Sequence, residues 1–269
     1  MANDTLIYDT PILYGQHMDD ESQNKFKEFY GSIFSKYIIS TIHDCSIGAG
    51  GSTLPLAKLG YSVSGSDINE NLLNKAQMNF SENGFFPRLF IADFRFIGDF
   101  FDEKVDCIIS TGNSLPHVDL NGFDIFLKSS YNKLNRDGLI FFDIRNWDTI
   151  NDEKPIIQAI NPKKMTAEEH MGIYLLFNWH DNGSVTFSFA TSIDKNGKHD
   201  SLYVISVPVY YPLLRKDISK YLTENDYTIK KYYDMDKYWL SKGMEKEKVD
   251  DFEKDFENIQ WYGVLAQKI

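Results

Sequence analysis

Between residues 41 and 145 the chain alternates short apolar runs of strand length with longer segments whose apolar residues return every three or four positions. The strand-like runs are TIHDCSI (41–47), YSVSGSD (61–67), PRLFIAD (87–93), VDCIIST (105–111) and LIFFDIR (139–145). Helical patterns follow most of them, such as STLPLAKLG, which stops at Gly60, and NENLLNKAQMNFSENG, which stops at Gly84. Ahead of the first strand, DDESQNKFKEFYGSIFSKYII (19–39) opens on acids at an N-cap. It then sets Phe26, Phe29, Tyr30, Ile33, Phe34, Tyr37 and Ile38 on one helical stripe. Strands alternating with helices predict a parallel sheet covered on both faces and wound right-handedly.

The alternation breaks near residue 150. Three runs of strand character follow, GIYLLFNWHD, GSVTFSFATSID and SLYVISVPVYY, joined by DNGS and DKNGKHDS, each with an Asn-Gly turn. This pattern predicts a small antiparallel sheet inserted into the parallel fold. A helix, RKDISKYLTEND, and a strand, YTIKKYYDM, come next. An acidic helical stretch at 243–257 and a last strand, QWYGVLAQK, complete the order. Repeats, low-complexity tracts and long linkers are absent, so the insertion is expected to pack on the core as a lid. The expected division is an N-terminal helical segment (1–40), a ligand-binding core (41–150), the antiparallel insertion (151–209) and a return to the core (210–269).

Composition narrows the class. The chain has 269 residues, 42% of them hydrophobic and 15% aromatic, enough to fill the core of one large domain. A net charge of -11 with no basic stripe argues against a nucleic-acid partner. No run has the length of apolar sequence that crosses a bilayer, and MANDTLIYDT lacks the basic-then-apolar pattern of an export signal. Cys45 and Cys107 sit in apolar runs without metal-ligand spacing, so no metal site is expected and both thiols should be buried and reduced. The expected location is the cytoplasm.

The candidate chemistry begins in HDCSIGAGGSTLPLAKLGYSVSGSD. A strand runs into Gly48, Gly50 and Gly51, then a helix, then a second strand that ends in Asp67. Glycines at such a turn let the backbone pass close to a ligand, and an acid at the next strand end can accept hydrogen bonds from ribose hydroxyls. The spacing marks a nucleoside pocket and by itself does not separate NAD from S-adenosylmethionine. Two features favour S-adenosylmethionine. The third glycine of the dinucleotide pattern is missing, with Pro55 where that helix should pack closely, and a helix precedes the first strand. The third strand ends in ADFRF, where Asp93 could take an adenine amino group and Phe94 cover the ring.

With these features the chain resembles the class I S-adenosylmethionine-dependent methyltransferases. The fourth and fifth strands end in Gly112-Asn113-Ser114-Leu115-Pro116-His117 and Asp143-Ile144-Arg145-Asn146-Trp147. Together these segments are similar to those of the glycine/sarcosine N-methyltransferase family, as are Leu13 to Gly15 (LYG) and Tyr210 to Pro212 (YYP). The resemblance implies an α/β fold: a Rossmann-like, seven-stranded, mostly parallel sheet with helices on both faces and a small antiparallel insertion between strands five and six. It implies S-adenosyl-L-methionine as methyl donor, leaving S-adenosyl-L-homocysteine. Its cofactor-binding residues would be Tyr14, Ser46, Gly48, Gly50, Asp67, Ile68, Asp93, Phe94, Thr111, Asn113 and His117. Its acceptor-binding residues would be Tyr8, Asn113, Arg145, Tyr174 and Tyr211, with Arg145 gripping a carboxylate.

The chain departs from that family in two places. Ile47 stands where the family has Cys before the first glycine, and the first helix offers only Lys25 and Lys27 where an arginine for the cofactor carboxylate is expected. The expected reaction is transfer of a methyl group to the amine of a small acceptor such as glycine or sarcosine, by a homo-oligomer or a monomer. His117 is the candidate base, or else caps a helix or contacts the cofactor. Arg145 could instead pair with Asp143 or Asp148, and Asp143 could orient it. The competing readings are methylation of another small O, S or N nucleophile, and a cofactor-binding protein without turnover.

Overall fold

The computed structural model describes residues 18–100, 103–164, 169–236 and 252–269. Its first element is α1 (Asp20–Phe34), started by Asp19, whose carboxylate accepts the Ser22 N–H. The stripe read from the sequence holds for Phe26, Phe29, Tyr30, Ile33 and Phe34, all buried. The helix stops short of the expected end at residue 39, and Ile38 is fully exposed. Ser35 caps it, its N–H donating to the Gly31 carbonyl at 3.3 Å. The next strand simply begins at Thr41.

Five parallel strands follow: β1 (Thr41–Asp44), β2 (Ser62–Asp67), β3 (Arg88–Ile91), β4 (Val105–Ser110) and β5 (Leu134–Arg145). Between them run α2 (Leu54–Lys58), α3 (Glu70–Glu82) and α4 (Leu120–Lys133), and α5 (Trp147–Glu153) follows β5. After the insertion come α6 (Arg215–Glu224), β10 (Tyr227–Asp234), α7 (Phe252–Asp255) and β11 (Trp261–Lys268). The sheet order is β10-β11-β5-β4-β1-β2-β3, with β11 antiparallel to both neighbours. The order reverses between β1 and β4. In open α/β sheets that reversal, at the carboxyl ends of the strands, is where ligands bind.

Alternation along β5 sorts the core. Leu139 and Phe141 turn to one face and pack with Phe26, Phe29, Tyr30, Ile33 and Phe34 of α1. Ile140, Phe142 and Ile144 turn to the other, with Phe123, Phe126 and Leu127 of α4 and Ile218 and Leu222 of α6. Phe141 lies within 5.7 Å of the Phe29 ring, and a side chain at Gly263 would meet the Phe141 ring at 2.9 Å. Gly263 is therefore what lets that ring lie flat under β11. A buried histidine ties β1 to β2: the His43 ring meets Ser64 Oγ at 2.9 Å and Ser66 Oγ at 3.1 Å. Burial lowers its pKa to about 3, so the ring stays neutral there.

The inserted sheet has four strands where three are expected: β6 (Ile157–Lys164), β7 (Glu169–Trp179), β8 (Val185–Lys195) and β9 (Lys198–Tyr210), paired in that order. The added strand is an edge. Its register slips between Ile160 and Lys163, across Pro162, which has no N–H to give to a ladder. That proline is why the segment reads as connection in the sequence. Leu175, Phe177, Val185, Phe187 and Tyr210 join the core around Trp147, so one face of the insertion packs on the parallel sheet. Of the acidic stretch expected to be helical at 243–257, α7 and a following single turn are described, and the rest lies outside the described residues.

Replacing Phe141 with Ala should lower the unfolding free energy by about 3–5 kcal/mol, because it empties the space between α1 and β11. Ile38→Ser, at an exposed position, should change it by less than about 0.5 kcal/mol. Urea unfolding followed by circular dichroism measures both, and similar values for the two would contradict this packing.

Candidate active site

Each short turn at the carboxyl end of a strand here is held by a carboxylate of the strands. After β1 the chain turns through Gly48 (φ 53°) and Gly50 (φ 79°), both left-handed. A side chain at Gly50 would strike the Phe80 ring at 2.7 Å, whereas the space at Gly48 is open. Asp44, the last residue of β1, is buried and accepts the Ser46 N–H at 3.0 Å and the Thr53 hydroxyl. Asp67, the last of β2, accepts the N–H of Gly48 at 2.8 Å and of Asn69 at 2.9 Å. Ile68, beside it, is 73% exposed. A glycine cradle open to solvent, an oriented acid and a bare apolar side chain fit the loop, ribose and adenine of a nucleoside ligand.

The next two strand ends are tied to the first. Ser46 Oγ meets Ser110 Oγ at 3.0 Å and accepts the Thr111 N–H at 3.2 Å, and Thr111 Oγ1 meets Ser52 Oγ at 2.9 Å. Gly112 (φ 76°) and Asn113 (φ 60°) then turn left-handed, a conformation asparagine tolerates better than most residues. The buried Asn113 side-chain oxygen accepts the Arg145 N–H and the Trp147 indole N–H, each at 3.0 Å. Asp143 Oδ1 accepts the Gly112 N–H at 2.8 Å and the Trp261 indole N–H at 2.9 Å. The two sequence segments at the ends of β4 and β5 are thus one hydrogen-bonded unit.

Two buried acids, Asp44 and Asp143, and the half-buried Asp67 lie close enough to repel one another. Burial raises the pKa of Asp44 to about 7 against the bonds from Thr53 and Ser46, with Asp67 and Asp143 adding repulsion. Burial also raises Asp143 to about 6 and Asp67 above its ordinary value. The Tyr30 hydroxyl of α1 lies in the field of Asp143 and Asp44, and burial raises its pKa well above the usual range. Among the described residues, no group of His, Cys, Asp or Glu is arranged to hold a metal ion, and no helix is long and apolar enough to cross a membrane.

Several expected site residues come together: Ser46, Gly48, Gly50, Asp67, Ile68, Thr111, Asn113 and Arg145 border the switch point. Arg145 ends β5, with its guanidinium 5.4 Å from the centre of the Trp261 ring and Nη1 donating to Gln158 Oε1 of β6 at 3.5 Å. Oδ1 of Asp143, the acid expected to orient it, accepts from Gly112 and Trp261. Asp148 accepts the Arg215 N–H at 2.9 Å. Asn146, beside Arg145 in the motif, is a brace: it caps α5 and donates to the carbonyls of Phe256 and Ile259.

Other expected residues make contacts within the chain. Asp93 is engaged by the Arg95 side chain and N–H; burial would raise its pKa, yet these bonds hold it below the ordinary value. The Phe94 ring packs edge-on against Phe126 at 5.7 Å. Tyr174 is 38% exposed on the face of β7 opposite Leu175 and Phe177, away from the core. The Tyr211 N–H donates to the Pro116 carbonyl at 2.7 Å, and the half-buried Tyr211 side chain follows the end of β9. The His117 ring lies 4.2 Å from that of Tyr210 and donates to the Val209 carbonyl, and burial lowers its pKa to about 4. Tyr8 and Tyr14 lie outside the described residues. Asp44 and Trp261, absent from the expected set, are the two the sequence concealed. Asp44 looks like the end of a strand, and Trp261 sits far along the chain.

Comparison with known proteins agrees with this geometry. Residues 42–138 match a family described as a methyltransferase domain. The chain is 30% identical over 127 residues to a glycine/sarcosine N-methyltransferase of Halorhodospira halochloris, covering 46% of this chain and 47% of that protein. It is 28% identical over 127 residues to one of Aphanothece halophytica, covering 47% and 48%. The chain therefore matches these curated relatives over about half their length. Its fold is similar to a crystal structure of an S-adenosylmethionine-dependent methyltransferase from Clostridium acetobutylicum, with a TM-score of 0.68 and 18% identity over 98% of this chain and 97% of the other. Residues 42–138 are thus a methyltransferase domain, set in a chain with the Rossmann-like fold of the S-adenosylmethionine-dependent methyltransferases.

Proposed function

We propose that the chain transfers a methyl group from S-adenosylmethionine to the amine of a small, carboxylate-bearing acceptor of the glycine or sarcosine kind. The observation that carries this reading is the joining of Arg145 to the Asn113 turn: the Arg145 backbone N–H donates to the Asn113 side chain, so the ends of β4 and β5 form one rim. The partial-length similarity to glycine/sarcosine N-methyltransferases supports it. The inserted sheet, which supplies Gln158 against Arg145, lies outside the matched residues 42–138. That leaves room for a second reading, in which the same domain methylates another small N, O or S nucleophile.

The donor supplies an electrophilic methyl group on a positively charged sulfur. In this reading the backbone at Gly48 and Gly50 and the Asp67 carboxylate hold the nucleoside part, and Ile68 covers the base. Asp44, Asp67 and Asp143 favour the positive charge of the sulfonium end. Arg145 clamps the acceptor carboxylate through its planar N–H fork and so fixes the amine in line with the methyl group. Alignment of this kind is worth about 7–11 kcal/mol in model reactions, so no strong base is required. His117 acts as a latch rather than a base, since burial holds its pKa near 4, too low to take a proton readily from an ammonium, and its ring donates to the Val209 carbonyl.

Three outcomes follow from this reading. Arg145→Ala should raise the acceptor KM by roughly 30- to 1,000-fold, the loss of a charged, two-pronged hydrogen bond, with cofactor affinity within about threefold. Steady-state kinetics over amines with and without a carboxylate, with calorimetry for the cofactor, measures this. Equal turnover of both amine types would favour the second reading. Next, His117→Gln, which keeps a donor for Val209, should leave the kcat–pH profile unchanged between pH 6 and 9 by about twofold or less. A lost limb in that profile would make His117 a base after all.

The third concerns pH. Carboxyls whose folded pKa is raised hold protons more tightly in the native state, so stability without ligand should fall as pH rises from about 4 to 7. The slope is at most about 1.4 kcal/mol per pH unit for each carboxyl. Binding of a cation favours the ionised forms, which reverses the trend for affinity. S-adenosylmethionine should bind roughly tenfold tighter at pH 8 than at pH 5.5, and S-adenosylhomocysteine, without the sulfonium charge, with a shallower slope. Calorimetric titrations at both pH values test this. Identical slopes would mean that the buried acids do not sense the donor's charge.

A further inference from the structure

We infer that Trp261 is the positioning residue that presents Arg145 edge-on to a planar, two-oxygen anion, an assignment that rests on Arg145 being the acceptor clamp. Trp261 starts β11 and lies directly opposite Arg145 in the antiparallel ladder, so their side chains share one face. The guanidinium lies over the indole at 5.4 Å. A cation at that distance over an indole face is attracted by the ring, and a guanidinium steadied this way can offer its planar N–H fork to a carboxylate through two parallel bonds.

The indole is itself fixed. Its Nε1–H donates to Asp143 Oδ1 at 2.9 Å, and that same oxygen accepts the Gly112 N–H at 2.8 Å. The circuit closes where the Arg145 N–H donates to Asn113 Oδ1 at 3.0 Å. The turn after β4, the end of β5 and the start of β11 therefore move together. A flexible arginine is ordered before the acceptor arrives, so less freedom is lost when it binds. Gln158 of β6 meets the guanidinium at 3.5 Å and marks the side from which the inserted sheet approaches. A single-oxygen or uncharged group in the carboxylate's place would use only one arm of the fork.

The test is a double-mutant cycle between Trp261→Leu and Arg145→Ala, with Trp261→Phe as the conservative variant. The acceptor is glycine or sarcosine, whichever is methylated faster, and ethanolamine serves as the amine without a carboxylate. Trp261→Leu should raise the amino-acid KM about 5- to 30-fold, while kcat and the S-adenosylmethionine Kd stay within about twofold. Trp261→Phe, which keeps a ring and loses the N–H, should raise it about two- to fivefold. Ethanolamine kinetics should not move. On the Arg145→Ala background Trp261→Leu should add nothing, because its effect passes through the arginine.

An additive double variant, an equal loss on ethanolamine or an unchanged amino-acid KM would overturn the assignment while Arg145→Ala still raises that KM. If Trp261→Leu does not fold, Trp261→Phe carries the cycle with the same criteria. If Arg145→Ala leaves the KM unchanged, or neither amino acid is methylated, the carboxylate reading fails and the role of Trp261 with it.

Discussion

The side-chain oxygen of Asn113 accepts two donors from the end of β5, the Arg145 backbone and the Trp147 indole, and the geometry of the site depends on that bifurcation. It requires a residue at φ 60° that can tolerate the left-handed region and also carry an acceptor on a short stem. Asparagine meets both demands. An aspartate would bring a third charge beside Asp143 and Asp44, and a glycine would leave two buried donors unmet, each a penalty of about 1–3 kcal/mol. Through this one atom the turn after β4 fixes the direction of Arg145 on one side. On the other it fixes Trp147, whose ring packs on Phe187 and Tyr210 of the inserted sheet.

The buried acids extend the same logic from geometry to charge. A carboxylate away from water is tolerable only when donors reach it. Asp44, Asp67 and Asp143 each find theirs in the N–H groups of the glycine turns they support. The bonds that shape the loops therefore also keep three negative groups under the rim. A fold that needed only stiff turns could have used neutral acceptors there. Retaining ionisable ones costs stability as they ionise, and under the proposed function the return would be a field that distinguishes a charged donor from its neutral product.

Much of this was legible in the residue pattern. Period-two and period-3.6 runs marked the five parallel strands and their helices, and the glycine loop, Asp67 and the two segments at the ends of β4 and β5 pointed to one rim. What escaped did so for physical reasons. Edge strand β6 carries Pro162 at a register slip and so has no strand signature. Asp93 was read as a base contact, and the spacing did not show that Arg95, two residues on, also engages its carboxylate. Asp143 and Arg145 share a face of β5, which made an ion pair plausible. The competing donors, Gly112 and Trp261, come from other strands and cannot be read from spacing. Asn146 shows the same limit: a motif residue whose work is to hold Phe256 and Ile259.

The division of labour in the chain follows from where its two sheets meet. In the proposed reading the donor is held by the parallel sheet, through the glycine turn, Asp44, Asp67 and Ile68 at the ends of β1 and β2 and Asp143 on β5. Arg145 stands at the seam, held from below by the Asn113 turn and Trp261 and met from the side by Gln158 of the inserted sheet. The insertion is anchored there by contacts that bypass the donor loop, namely His117 to Val209 and Tyr211 to Pro116. A change in β6 to β9 can therefore alter what fits against the guanidinium while leaving the donor cradle in place. Under the proposed function, acceptor choice and donor chemistry would be separable, because the proposed clamp belongs to one sheet and the side chain facing it, Gln158, to the other.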